Sequence, residues 1–209
     1  MMMTWKPTPV PDEEAFAAIK AGIDAAPRGV KVFLNSGGCD SLQSHNSVSL
    51  FSSFSFSFFY EICPHFHQFL FRSGEFYGQG MSVANLELVA RFFEKYPDYK
   101  DLVFLSVKGG LLPGQLSVDG SRENLRRSVD NILKVLRGTK KLDLFESARR
   151  DPNYEIEHYA EVLSEMVKEG KFDYIGLSEV GAETVRRAQK VSGTCGRVSF
   201  VGRGESLQT

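Results

Sequence analysis

Tyr77 stands between two glycines in Gly74-Glu75-Phe76-Tyr77-Gly78, and Lys108 closes the apolar run Val103-Phe104-Leu105-Ser106-Val107 before Gly109-Gly110. A phenol can hand a proton to a bound carbonyl oxygen. An ammonium beside it stabilises the phenolate left behind. Such a pair suits the reduction of an aldehyde or ketone, where a hydride and a proton must both arrive. Taken singly, a loop tyrosine is usually surface or core and a strand-end lysine is usually solvated. The two in this order carry the reading.

Groups on separate segments meet when successive strands run parallel with helices between them, because their ends then gather at one rim. The chain has that rhythm. Apolar runs at 30–35, 102–108, 142–147 and 174–178 read as buried parallel strands. Helical spacing appears after Pro11, with Phe16, Ile19 and Ile23 on one face, and over 82–93, with Leu86, Val89, Ala90 and Phe93. Ser121 is placed to cap a helix with the stripe Leu125, Val129, Ile132, Leu133 and Leu136, stopped at Gly138. Further helices are expected over 155–168, ended by Gly170, and over 182–191. The fold class is therefore α/β, a partial (β/α)8 TIM barrel with about half the strands that the closed form needs.

Composition narrows the function classes. A net charge of −1 over 209 residues offers no basic footprint for nucleic acid and no cationic face for a membrane. No apolar run is long enough for a membrane span, and the start does not read as a secretory signal. Cys39, Cys63 and Cys195 form no disulfide framework. A cytoplasmic protein is expected.

Residues 36–72 interrupt the rhythm. They hold eight of the 17 phenylalanines and nine serines, alternating as Ser-Phe through the centre. The stretch reads as a disordered Ser/Phe-rich insertion, its centre over 50–59 uncharged and β-prone enough to aggregate. Cys63, His65 and His67, with Cys39 and His45, are metal-capable types, but their spacing fits no common zinc pattern and no metal is expected. The glycines of the tail, Gly193, Gly196, Gly202 and Gly204, follow no strand in the way a phosphate loop requires.

GEFYG at 74–78, FFEKYP at 92–97, VFLSVKGG at 103–110, LRGTKKLDLFESAR at 136–149 and IGLSE at 175–179, in that order, resemble the aldo-keto reductases, most closely the fungal pyridoxal reductase branch. With Met3-Thr4-Trp5-Lys6-Pro7 these segments span most of the chain outside 36–72 and the residues after about 191. The resemblance implies a single NADP-dependent oxidoreductase domain over 1–209, with 36–72 inserted and 192–209 a tail unlike the family. It implies NADPH as cofactor, no metal, and a small aldehyde or ketone such as pyridoxal as substrate. Tyr77 would match the general acid and Lys108 the cation beside it. Ser178 would match the residue that hydrogen-bonds the nicotinamide carboxamide, with Glu179 next to it where many relatives carry Asn. Arg149 keeps an arginine of the substrate rim.

The pattern is not complete. Arg72 stands five residues before Tyr77, where the family has an Asp. Without 36–72, Asn35 meets Ser73 and takes that place, as in the pyridoxal reductase branch. Ala148 stands where the family has its substrate-orienting His. The first barrel strand is not found upstream of Met3, and half a barrel leaves strand edges open, so marginal stability is expected. With these departures the reductase activity of this chain is expected to be impaired, and two other readings use the same resemblance: a non-catalytic NADPH-binding relative, like the potassium-channel β subunits, or an inactive fragment.

Removing 37 residues restores the family spacing between Asn35 and Tyr77, and Ser, Phe, Leu and Pro can all be written in pyrimidine-only codons. A translated intron tract explains both. Sequencing the transcript across codons 35–73 is expected to reveal a message lacking the segment; transcripts that all retain it would refute the intron origin.

Overall fold

The computed structural model describes residues 3–4, 7–34, 66–69 and 74–192. Helix α1 (Asp12–Asp24) begins after Pro11 with Asp12, Glu13 and Glu14 in its first turn, where negative charge suits the helix dipole. It buries Ala15, Phe16, Ile19 and Ile23, one helical stripe. Strand β1 (Lys31–Leu34) follows, then β2 (Phe66–Phe69). Helix α2 (Ala84–Lys95) buries Leu86, Val89, Phe92 and Phe93. After strand β3 (Val103–Gly109), helix α3 (Arg122–Leu136) starts at Ser121, whose Oγ accepts from the Asn124 backbone N–H at 3.2 Å. It stops where Arg137 and Gly138 turn left-handed, at φ 51° and 70°. Strand β4 (Leu144–Ser147), helix α4 (Ile156–Lys168), strand β5 (Tyr174–Leu177) and helix α5 (Ala182–Ser192) complete the order.

The five strands form one parallel sheet in the order β2-β1-β3-β4-β5. From β3 onward each strand pairs with its predecessor in the sheet, which is the neighbour relation of a βα barrel. All four strands expected from sequence are present. The fifth, β2, comes from within 36–72, where no strand was assigned and an insertion without structure was expected. Its four residues pair with β1 from Lys31↔Phe66 to Leu34↔Phe69 and so occupy the β1 edge. The rest of that segment lies outside the described residues.

Period-two alternation gives the sheet two distinct faces. Val32, Leu34, Val103, Leu105, Val107, Phe145, Ile175 and Leu177 join the helices in the main core. Phe33, Phe104 and Leu144, with Tyr174 packed on them, form a separate cluster. The Phe33 and Phe104 rings stack 5.4 Å apart at 21°, and Tyr174 tilts against Phe104 at 5.4 Å. This second face corresponds to the interior of a barrel. Strands β1, β3, β4 and β5 are buried on both sides, so their sequences are largely apolar.

Phe145 is fully buried between sheet and helices, against Phe172 at 5.8 Å between ring centroids. Phe145→Ala is expected to lower unfolding stability by about 3–5 kcal/mol through lost burial and a cavity. The shift of the urea midpoint at constant slope measures it.

Candidate active site

The polar residues of the second face collect at the C-terminal ends of the strands. Lys108 pairs in register with Glu146, and Glu146 with Gly176, so this row lies beyond the Ser106–Leu144–Tyr174 row, toward the rim. In a βα barrel that rim is where catalytic groups stand.

The Gly74–Gly78 segment reaches the same rim through backbone pairing. Gly74 forms a parallel bridge with Lys108, and the Glu75 N–H donates to the Lys108 carbonyl at 2.9 Å. Two residues later comes Tyr77, which is 6% exposed. The Tyr77 carbonyl accepts from Thr4 Oγ1 at 2.7 Å, and the Gln79 N–H donates to the Thr4 carbonyl at 3.2 Å. Gly78 is required by close approach: a Cβ there would come within 3.0 Å of Ala84 Cβ.

Glu75 anchors this segment to α3. The residue is 1% exposed, and its carboxylate accepts from Arg127 Nη1 at 2.7 Å, Ser128 Oγ at 2.5 Å and Asn131 Nδ2 at 3.0 Å. Arg127 also donates to the Leu111 carbonyl at 2.7 Å and lies 5.6 Å over the Phe76 ring. Ser128 Oγ accepts from the Gly110 N–H at 2.9 Å, and Asn124 Nδ2 donates to the Gly110 carbonyl at 3.1 Å. One face of α3 therefore holds both the Tyr77 segment and the end of β3.

Lys108 Nζ donates to Ser178 Oγ at 3.0 Å and lies 3.5 Å from Glu146 Oε1. The Lys108 and Glu146 side chains are 12% and 9% exposed. Ser178 is buried, and its N–H donates to the Ser147 carbonyl at 3.2 Å. Arg149 and Glu179, expected at different ligands, meet each other: Nε lies 3.0 Å from Oε2, on an exposed part of the rim. Glu179 takes a left-handed φ of 58°. Ala148 is buried, with its N–H on the Gly109 carbonyl at 2.9 Å.

Asn35 lies outside the described residues, as do Cys39, His45, Cys63, His65 and the tail from Gly193 on; His67 enters as the β2 position opposite Val32. Among the described residues no group of three or more His, Cys, Asp or Glu could hold a metal ion. Among them, too, no helix is long and apolar enough to cross a membrane.

Two carboxylates of this region, Glu75 and Glu146, were missed in sequence. Each had a signal. Glu75 lies inside the most distinctive motif, and Glu146 is a charged residue directly after the apolar pair Leu144-Phe145 of a strand run.

Other charged groups serve the frame. Asp151 accepts from the backbone N–H groups of Asn153 at 2.9 Å and Gly120 at 3.1 Å, tying the loops after β3 and β4 together. Those bonds hold its carboxyl below the usual carboxylate range. Its N–H donates to the Tyr159 hydroxyl at 2.9 Å, and burial pushes that phenol up. At the opposite end of the strands Lys140 reaches Asp143 at 2.6 Å, and desolvation pulls its ammonium below the ordinary lysine range. That pair lies far in register from the Lys108 row and also caps the Leu105 N–H at 2.7 Å through Asp143.

The sequence pattern of the aldo/keto reductase family matches residues 68–200. The chain belongs to this family. A Schizosaccharomyces pombe protein named probable pyridoxal reductase 2 is 48% identical over 116 residues, 56% of this chain and 35% of that protein. An uncharacterized oxidoreductase of the same yeast is 33% identical over 189 residues, 90% of this chain and 44% of its own length. A provisionally named pyridoxal reductase of Saccharomyces cerevisiae is 31% identical over 198 residues, 91% of this chain and 45% of its own. The chain thus spans less than half the length of these three relatives. The family match opens at residue 68, inside the stretch read as inserted, and runs to 200, inside the tail read as unlike the family.

Glu75→Ala leaves Arg127, Ser128 and Asn131 without their shared acceptor, and a loss of roughly 3 kcal/mol in unfolding stability is expected from urea titration. Asp151 gives an acid limb of defined sign. Its depressed carboxyl stabilises the fold fully above the unfolded value, and that contribution drains as pH falls from about 4 through the folded value. Asp151→Asn is expected to flatten stability against pH across that window; an unchanged acid limb would refute the assignment.

Proposed function

We infer that the protein derives from, and acts as, an NADPH-dependent reductase of small aldehydes, with pyridoxal as the substrate favoured by the names of its relatives. Family membership supports the reaction class. The observation that carries the residue assignment is the backbone pairing of Gly74 and Glu75 with Lys108, which sets the Tyr77 segment against the strand end bearing the ammonium.

In this reading the Tyr77 phenol gives its proton to the carbonyl oxygen as the carbonyl carbon is reduced. Lys108 holds positive charge beside the phenolate that results. Asn35 is assigned as the neutral hydrogen-bonding neighbour of that couple. NADPH supplies the hydride when bound. Ser178 fits the carboxamide of its nicotinamide: the Oγ accepts from Lys108, which leaves the hydroxyl proton to donate to an amide oxygen. Glu179 fits less well, because Arg149 already takes its carboxylate. Arg149, exposed on the rim, is assigned to the substrate side, where release from Glu179 would free its guanidinium for an anionic group.

A second reading, an inactive or purely cofactor-binding chain, is favoured by one observation: Ala148 is buried where the family has its substrate-orienting His. Fluorescence titration with NADPH, followed by turnover of pyridoxal, separates the two. Binding with turnover is expected, and Tyr77→Phe is expected to lower kcat on the order of 10²–10⁴-fold with NADPH binding retained. Binding without turnover supports the second reading, and turnover that survives Tyr77→Phe removes Tyr77 as the proton donor.

A further inference from the structure

We propose that Glu146 is the acidic partner of Lys108 and positions its ammonium for proton transfer; the catalytic half of this statement rests on the reductase reading above. Lys108 and Glu146 are register partners on β3 and β4, and both project from the sheet face that carries Phe104 and Leu144, away from the helices. Their side chains therefore run side by side, and the charged atoms meet at 3.5 Å, largely screened from water. The third strand makes room for the carboxylate. At Gly176, the register partner of Glu146, a Cβ would lie 2.8 Å from Leu144 Cδ2, 3.0 Å from Glu146 Cβ and 3.1 Å from its Cγ, so a side chain there would crowd both residues of β4.

Packing does not call for this carboxylate. Leu144 and Phe145 precede it in the strand, and an apolar side chain at 146 would avoid the desolvation that a buried ion carries. A nearby cation that must remain charged gives the residue its reason. Ser178 Oγ accepts a Lys108 N–H at 3.0 Å, so β4 and the residue just after β5 each fix the ammonium from one side. Around it, then, stand Glu146 from β4, Ser178 just after β5 and the Tyr77 segment bridged to β3, with the Arg149–Glu179 pair farther out on the rim.

The pairing is read directly by trace acetylation of the full chain at neutral pH, with each lysine quantified by mass spectrometry. An ammonium held between Glu146 and Ser178 and largely screened from water is reached slowly by the reagent. Glu146→Gln is expected to raise the labelling of Lys108 by about tenfold relative to exposed Lys141, with Glu146→Asp staying near wild type. Labelling of Lys108 that does not change in Glu146→Gln overturns the proposal. Unfolding of that variant would show as labelling of buried Lys140, and Gly176→Ala is then read instead. It crowds Glu146 while keeping the carboxylate, and faster labelling of Lys108 is again expected; no change overturns the proposal.

Turnover of pyridoxal with NADPH supplies the second readout. Glu146→Gln is expected to lower kcat about tenfold or more with KM within about twofold, and Glu146→Asp to restore most of it. A wild-type chain that shows the labelling pattern but no turnover supports the pair and sinks the reductase reading. Turnover unaffected by Glu146→Gln overturns the positioning role.

Discussion

Glu75 places a fully buried negative charge at the junction of three elements, and the geometry of the rim depends on it being satisfied. Its carboxylate draws donors from Arg127, Ser128 and Asn131 on one face of α3, while its backbone N–H pairs with the Lys108 carbonyl. A buried carboxylate without those partners would carry a large desolvation penalty, so the segment, the strand end and the helix come as a set. Tyr77 inherits its position from this arrangement. The residue that makes the motif distinctive chemically is held there by the residue two places before it.

The two faces of the sheet divide the work. Toward the helices lies the continuous apolar core, from Ala15 and Phe16 of α1 to Ala188 of α5. On the other face an aromatic layer of Phe33, Phe104 and Tyr174 lies beneath the row of Lys108, Glu146 and Gly176. An aromatic floor under a charged row lowers the local polarity around the charges, which lengthens the reach of each electrostatic interaction. The charged pair at the other end, Lys140 and Asp143, instead caps a backbone N–H of β3 and is occupied with the frame.

Much of this was legible in the chain itself. The strands at 102–108, 142–147 and 174–178 and the helix after Ser121 fall within a residue or two of expectation, because long apolar runs and a hydroxyl cap act locally. Parallel order was legible from the alternation of strand and helix. The strand Phe66–Phe69 was not, since its pairing with β1 depends on a distant edge rather than on its own composition. Arg149 and Glu179 were read as separate ligand-facing groups, yet thirty residues of separation close into one ion pair when β4 and β5 lie side by side. Glu146 was passed over because neither it nor Asp143 in the same run carries a spacing signal.

The amino-acid sequence by itself pointed to the family, to the order of four strands and their helices, and to Tyr77 and Lys108 as candidates for proton transfer, because motif identity and hydrophobic period are properties of contiguous residues. Which groups surround them was decided by tertiary structure. Glu75 on α3, Glu146 beside Lys108 and Ser178 across from it are joined by strand register and helix docking. Those are contacts between residues 38 to 70 positions apart, and side-chain charge at such separations is matched by the register of a sheet, which no local pattern encodes.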